Sequence, residues 1–336
     1  MKRFSSALAI IIFSFALILT TILSTGKEES TGLKLGVAIS SSISSSTDAA
    51  ENENGKNSTT ITVATVLVDA SGKVVSCKID VVNAEILFTN SGTIVTDLEK
   101  EVLSKKELGF DYGMTEYSSI QKEWHEQVTA FENYCVGKTA TEITSIAVNQ
   151  ETGLVDGLTS CTMHPAQFQY LVADAIGAAK PSNATSTDNL GLAITVSLKN
   201  SSNATEEANG SAEVTANIAA SAVDANGKMT AVYVDTLQAI VSFDLNGKIT
   251  NDVDKEVLSK HQLKDTYGMK AFSSIQKEWY EQADAFAAYC IGKTANDMYS
   301  ITVNQETGLV DGLSGCTMHP GNFQYIIAKA AQAAGK

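Results

Sequence analysis

After residue 26 the sequence has no run of lysine and arginine, and 24 basic against 38 acidic residues leave a net charge of −14. A surface of that sign repels phosphate backbones, which argues against nucleic acid as a partner. The sequence also lacks a Gly-x-Ser-x-Gly elbow, a His-Glu-x-x-His zinc motif and a phosphate-binding loop, so hydrolytic catalysis has no footing in it. No cysteine precedes Cys77, which excludes a lipid anchor on an N-terminal cysteine. Apolar residues are not scarce. A hydrophobic content of 44% is ordinary for a globular protein and incompatible with wholesale disorder.

The first 26 residues read as a signal peptide or N-terminal membrane anchor. Lys2 and Arg3 form a charged start, and residues 7–23 are apolar apart from Ser14, Thr20 and Thr21. No small-x-small cleavage site of the Ala-x-Ala kind follows, which favours an uncleaved anchor. Either form places the remainder outside the cytoplasm, membrane-anchored or secreted.

That remainder is one unit written twice. Adding 155 to a residue number in the first half finds its counterpart in the second: Trp124 maps to Trp279, and the eleven residues 148–158 recur unchanged as 303–313. The units span 33–180 and 189–335, joined by a Pro/Ser/Asn/Thr-rich linker at 181–188. Two copies at this period are tandem domains, not a solenoid.

Each unit opens with strands over 35–40, 62–68, 74–82 and 84–88. Asp69-Ala-Ser-Gly72 and Asp224-Ala-Asn-Gly227 serve as hairpin turns, because Gly and Asn tolerate positive φ. Helical periodicity then takes over. A short polar-faced helix is expected over 98–108. The clearest is predicted over 118–136, capped by Ser118 or Ser119, with Ile120, Trp124, Gln127/Val128, Phe131 and Cys135 on one stripe. A short helix over 139–146 and an apolar one over 166–179 complete an α+β unit, an antiparallel sheet with helices packed on one face. The repeated Gln121-Lys-Glu-Trp-x-Glu126-Gln carries two carboxylates at helical spacing, which read as a solvated face.

The block Asp311-Gly-Leu-Ser314-Gly315-Cys316-Thr317 precedes the last helix. Small residues there let the backbone approach a ligand, and a threonine at a helix start offers its hydroxyl beside free N–H groups that favour phosphate; Thr317 as a plain helix cap is the alternative. The arrangement resembles Asp-x-x-Ser/Thr-Gly-Ala-Thr, the flavinylation motif of the FMN-binding domain family. Asp311, Ser314, Gly315 and Thr317 match, with Cys316 in place of alanine. In unit one Asp156, Thr159 and Thr162 match, while Ser160 and Cys161 depart from the motif. The resemblance implies FMN esterified through its phosphate to Thr317, and in unit one to Thr162, by a flavin transferase. It further implies an electron carrier with redox partners outside the membrane, not a catalyst. Trp124/Trp279 or Tyr134/Tyr289 are candidates to stack on the ring. The alternative is a cell-surface structural or ligand-binding protein of the same fold without flavin.

The cysteines repeat as well. Cys135 and Cys161, and Cys290 and Cys316, share one spacing, which in an exported protein suggests one disulfide per unit; buried unpaired cysteines are the other reading. Cys161-Thr-Met163-His164 and Cys316-Thr-Met318-His319 also hold residue types that copper or zinc accepts, and the run is similar to the Cys-Pro-Met-His-Pro segment of heavy-metal-binding modules.

Overall fold

A computed structural model describes residues 32–149, 154–155, 157–158, 160–163, 166–304, 306, 309–319 and 321–335. The leader, Asp156, Thr159, His164 and Pro165 lie outside the described residues. In unit one, β1 (Lys34–Ser42), β2 (Gly55–Val68) and β3 (Val74–Phe88) form an antiparallel meander. Then come α1 (Lys105–Leu108), two 3-10 turns (Gly109–Tyr112 and Met114–Glu116), α2 (Trp124–Cys135), α3 (Ala140–Thr144) and α4 (Ala166–Gly177). The two-residue strand β4 (Lys180–Pro181) returns to pair with β1. Unit two repeats the plan: β5 (Asn189–Ser197), β6 (Gly210–Val223), β7 (Met229–Phe243) and α5 (Lys260–Leu263) lead to two 3-10 turns (Lys264–Tyr267 and Met269–Ala271). After these come α6 (Trp279–Cys290), α7 (Ala295–Tyr299) and α8 (Gly321–Ala334). The class is α+β, with two antiparallel sheets ordered β3-β2-β1-β4 and β5-β6-β7.

Helices cover one face of each sheet. Ala64, Val66 and Val68 of β2, with Cys77, Ile79 and Val81 of β3, pack under α2 and α4. The alternate residues Ile61, Val63, Val82, Ile86 and Phe88 meet Ile194, Val214, Ile218, Val241 and Phe243 of the other unit in one shared core. The molecule is thus four layers deep: helices, sheet, sheet, helices. Because both faces are covered, the last eight residues of β2 are all buried, and that stretch reads as a nearly continuous apolar run.

The two units face each other across a pseudo-two-fold axis. Phe88 stacks on its own counterpart, Phe243, with ring centroids 4.1 Å apart and planes 1° from parallel. Ala49 N donates to Gly247 O and Ala204 N to Gly92 O, both at 2.8 Å. Ile94 N donates to Asn203 Oδ1 at 2.8 Å and Ile249 N to Asp48 Oδ1 at 2.7 Å. Each bond is matched by its repeat-related partner, the signature of an isologous contact. The linker is tied down rather than free: Ser182 N donates to Leu33 O, and Asn183 N to Thr230 O.

Some elements differ from expectation. The strands expected over 74–82 and 84–88 are one 15-residue strand, β3, and β2 begins at Gly55. The helix expected from 118 starts at Trp124, because Gln121 takes a left-handed φ of +51° and Glu123, not Ser118 or Ser119, caps it. Over 98–108 only Lys105–Leu108 is helical, with Ser104 as its cap.

The shared core makes a checkable prediction. Phe243→Ala removes one ring of the stacked pair and should cost about 3–5 kcal/mol. Urea unfolding followed by circular dichroism should still show one transition, since the damaged core belongs to both units. A second transition at the wild-type midpoint would show that unit one folds independently.

Candidate functional site

The candidate site is built around the start of α6. Gln276 repeats the left-handed turn of Gln121, with φ of +50°, and breaks the chain so that Glu278 becomes the N-cap. Glu278 is buried and accepts from the amides of Met269 (2.9 Å) and Lys270 (3.1 Å), which clamps the second 3-10 turn against the helix. Glu123 does the same in unit one, accepting from Met114 N at 2.9 Å and from the amide and hydroxyl of Thr115. The Thr115 hydroxyl, with these amides, holds its carboxyl below the usual carboxylate range. The expectation that the two carboxylates of this block form a solvated face is therefore corrected for the first of them, which is buried because it ties a loop to the helix. The last glutamine is buried as its place on the stripe predicts.

That glutamine reaches the motif. Gln282 Oε1 accepts from Thr317 N at 2.8 Å and from Thr317 Oγ1 at 3.0 Å. Its Nε2 donates to Lys277 O at 3.1 Å and Ser273 Oγ at 3.0 Å. Gln127 holds Thr162 identically, with 2.7 and 2.9 Å to N and Oγ1. Among the described residues, the structure therefore brings the motif threonine of each unit to a repeat-equivalent buried glutamine of its own unit. Gly315 lies close to α6, since a Cβ there would stand 2.9 Å from Ala285 Cβ and 3.8 Å from Lys277 Nζ. Asp311 and Ser314 are exposed, so the structure does not bring their side chains into the site.

Thr317 lines a pocket of about 530 Å³ with Tyr267, Met269, Phe272, Trp279, Met318, His319 and Phe323. That volume lies within the range of small-molecule sites, which run roughly 300–1,000 Å³. Phe272 at the rim is 92% exposed, and its counterpart Tyr117 is 88% exposed at a matching pocket in unit one. Lys260 Nζ stands 4.8 Å from the Tyr267 ring centre and 5.4 Å from that of Trp279, a cation held by two aromatic faces. In unit one Lys105 occupies this position and lines the pocket, while the described walls there do not include Thr162. Tyr289 is covered instead by Lys293, at 3.8 Å.

Sequence reasoning singled out the threonines and Trp279 but missed Gln282, Glu278, Tyr267 and Met269. Their signal was present. Tyr-Gly-Met and Gln-Lys-Glu-Trp-x-Glu-Gln are identical in both units, and identity across diverged copies marks the frame of the site.

The cysteines and histidines do not gather into a metal centre. Cys316 and Met318 are buried in the helix-covered core while His319 is exposed, and no three His, Cys, Asp or Glu residues converge among the described residues. All five cysteines are buried free thiols. Burial raises the Cys161 and Cys316 thiols and pushes Cys290 to about 12. The pairings expected between Cys135 and Cys161 and between Cys290 and Cys316 are not formed in this structure.

Behind Trp279 lies a charge cluster that runs from the buried Asp235 through the half-buried His261 to the exposed Asp284. His261 Nε2 is 3.1 Å from Asp284 Oδ1, and its Nδ1 is 3.4 Å from Asp235 Oδ1. The Tyr233 hydroxyl donates to Asp235 Oδ2 at 2.8 Å, and Lys180 pairs with Asp284 at 3.3 Å. Burial pulls the imidazole's pKa down, but the two aspartates outweigh it and raise it to about 9. Unit one puts Lys106 in the same place, paired with Glu132. A folded pKa near 9 against an unfolded value near 6.5 stabilises the fold fully below about pH 6.5, an effect lost as the pH rises through 9. Stability measured by urea titration should fall between pH 6.5 and 9 by on the order of 2 kcal/mol in the native chain, and that drop should be absent in His261→Gln. An identical drop in the variant would place the titration elsewhere.

Compared with family models, curated proteins and solved structures, the chain matches none.

Proposed function

We propose that this chain is an extracytoplasmic FMN-binding-like protein, an electron carrier with flavin covalently attached at Thr317. The observation that carries the reading is the Thr317 hydroxyl, half-buried in the wall of a pocket flanked by Trp279, Tyr267, Phe272 and Phe323. The residues present fit the group. Aromatic and methionine side chains offer flat apolar surface to a ring system, Lys260 offers positive charge among them, and Lys277 lies beside the motif loop where a phosphoester needs a counter-charge. When bound, the flavin supplies the redox chemistry. The protein's part is to hold and shield it: Gln282 positions Thr317, Glu278 fixes the wall of turns, and Trp279 closes the floor.

Unit two is the better candidate of the two. It keeps Ser314-Gly315 before the cysteine, and its threonine lines the pocket. Attachment at Thr162 is the weaker half of the proposal. One observation favours a ligand-binding protein without flavin: in both units the threonine hydroxyl is already committed to a glutamine carbonyl. Anchoring and export rest on the leader, and no helix among the described residues is long and apolar enough to cross a membrane.

The two readings separate in one experiment. Protein co-expressed with a flavin transferase, then denatured and freed of small molecules, should retain flavin absorbance. Thr317→Ala should lose most of it and Thr162→Ala little. A colourless wild-type chain would overturn the flavin reading in favour of the binding protein.

A further inference from the structure

We infer that Cys77 and Cys135 are the natural disulfide partners of unit one, joining β3 to the end of α2. Two anchors bracket the pair. On one side, Gly137 N donates to Val74 O at 2.8 Å and Val74 N to Lys138 O at 2.9 Å, fixing the chain just past α2 to the start of β3. On the other, Ile79 N donates to Glu132 Oε1 at 2.6 Å, fixing the last turn of α2 to the middle of β3. Cys77 lies between Val74 and Ile79 on the strand, and Cys135 between Glu132 and Gly137 on the helix. Both face the same core and are 4% and 0% exposed.

Both thiols sit in one buried cluster, and the neighbouring Cys135, together with burial, raises the Cys77 thiol well above the ordinary thiol range. Cys161 carries no comparable interaction with Cys135; burial alone raises it, against the Met163 amide. Unit two lacks the pair, because Val232 stands where Cys77 stands in unit one. Its frame is nevertheless the same: Gly292 N donates to Met229 O at 2.8 Å and Met229 N to Lys293 O at 2.9 Å.

The bond forms by thiol–disulfide exchange with an external disulfide. Cys77 and Cys135 each give up one proton and one electron, an S–S bond closes between them, and the external disulfide is reduced to two thiols. Attack requires a thiolate, which the folded core suppresses, so the bond closes during folding. The presence of such an oxidant in the cell rests on the extracytoplasmic reading. The test supplies it directly and does not depend on that reading or on flavin.

Full-length protein is unfolded, refolded in mixed oxidised and reduced glutathione, alkylated, and digested without reductant for mass spectrometry. The expected product is a peptide joining Cys77 to Cys135, with Cys161, Cys290 and Cys316 alkylated. Reductant should then lower the thermal midpoint of this protein by about 5–10 °C, and that of Cys77→Ser hardly at all. Val232→Cys tests the geometry where no bridge exists: the introduced thiol should bond to Cys290. Five alkylated cysteines in the refolded wild type, a Cys135–Cys161 bridge, or two free thiols at 232 and 290 in the variant would each overturn the inference.

Discussion

Each sheet of this protein is apolar on both faces, and the remaining architecture follows from covering both. An antiparallel sheet in water ordinarily hides one face and solvates the other. Here the helices α2 and α4, or α6 and α8, cover one face, and the sheet of the other unit covers the second. A lone unit would expose Ile61, Val63, Ile86 and Phe88 together, an apolar patch of the kind that drives association. Fusing two copies places the second at high effective concentration and makes the pairing intramolecular. The reciprocal bonds from Ala49 to Gly247 and from Ala204 to Gly92 set the register of that pairing. Glycine is required at both positions, since a Cβ at either would come within 2.7 Å of the opposing alanine's Cβ.

Buried polar side chains carry this rigidity outward to the pocket. Glu278 caps α6 and Gln282 lies in its first turn, so both side chains act at the same end of the helix. The first clamps the 3-10 turns and the second clamps Thr317, so the two walls of the pocket hang from one helix. Leaving such groups unpaired in a core costs about 1–3 kcal/mol each, which makes the loops that satisfy them part of the folded state. The positive φ of Gln276 has the same logic, because the turn it strains is what delivers Glu278 to the cap.

The parts visible from residue order alone were those with local causes. Hairpin turns at Asp69–Gly72 and Asp224–Gly227 follow from glycine and aspartate chemistry, and the stripe from Trp124 to Cys135 from the helical period. The start of α2 was misplaced because nothing local announces that Gln121 turns left-handed. Glu123 looked like surface because its partner, Thr115, lies outside the helix. Gln127, although on the buried stripe, did not reveal its partner Thr162 because that residue lies elsewhere along the chain. The Cys135–Cys161 pairing came from spacing, whereas strand–helix packing sets Cys135 and Cys77 in one buried cluster between the anchors that tie α2 to β3. Meeting of the two sheets was not legible either, although the nearly continuous apolar run in β2 is its trace.

The differences between the units show where the fold leaves freedom. At the base of the short helix, unit one pairs Lys106 with Glu132, and unit two pairs His261 with Asp235 and Asp284. Glu132 aligns with Ala287, and Asp284 with Thr129, so the helix acid has moved by three residues, one turn along the same face. Lysine reaches further than histidine, and the acid that meets it sits a turn further along α2. A half-buried cation keeps a partner, so the pair changes together. The polar contacts of Glu278 and Gln282 show no such drift, being repeated side chain for side chain by Glu123 and Gln127. A charge pair needs only some acid near some base, whereas a pocket wall needs its loops at fixed positions. The frame around Thr317 and Thr162 therefore carries the tighter geometric demand, and that asymmetry places function at the pocket rather than at the charge cluster behind it.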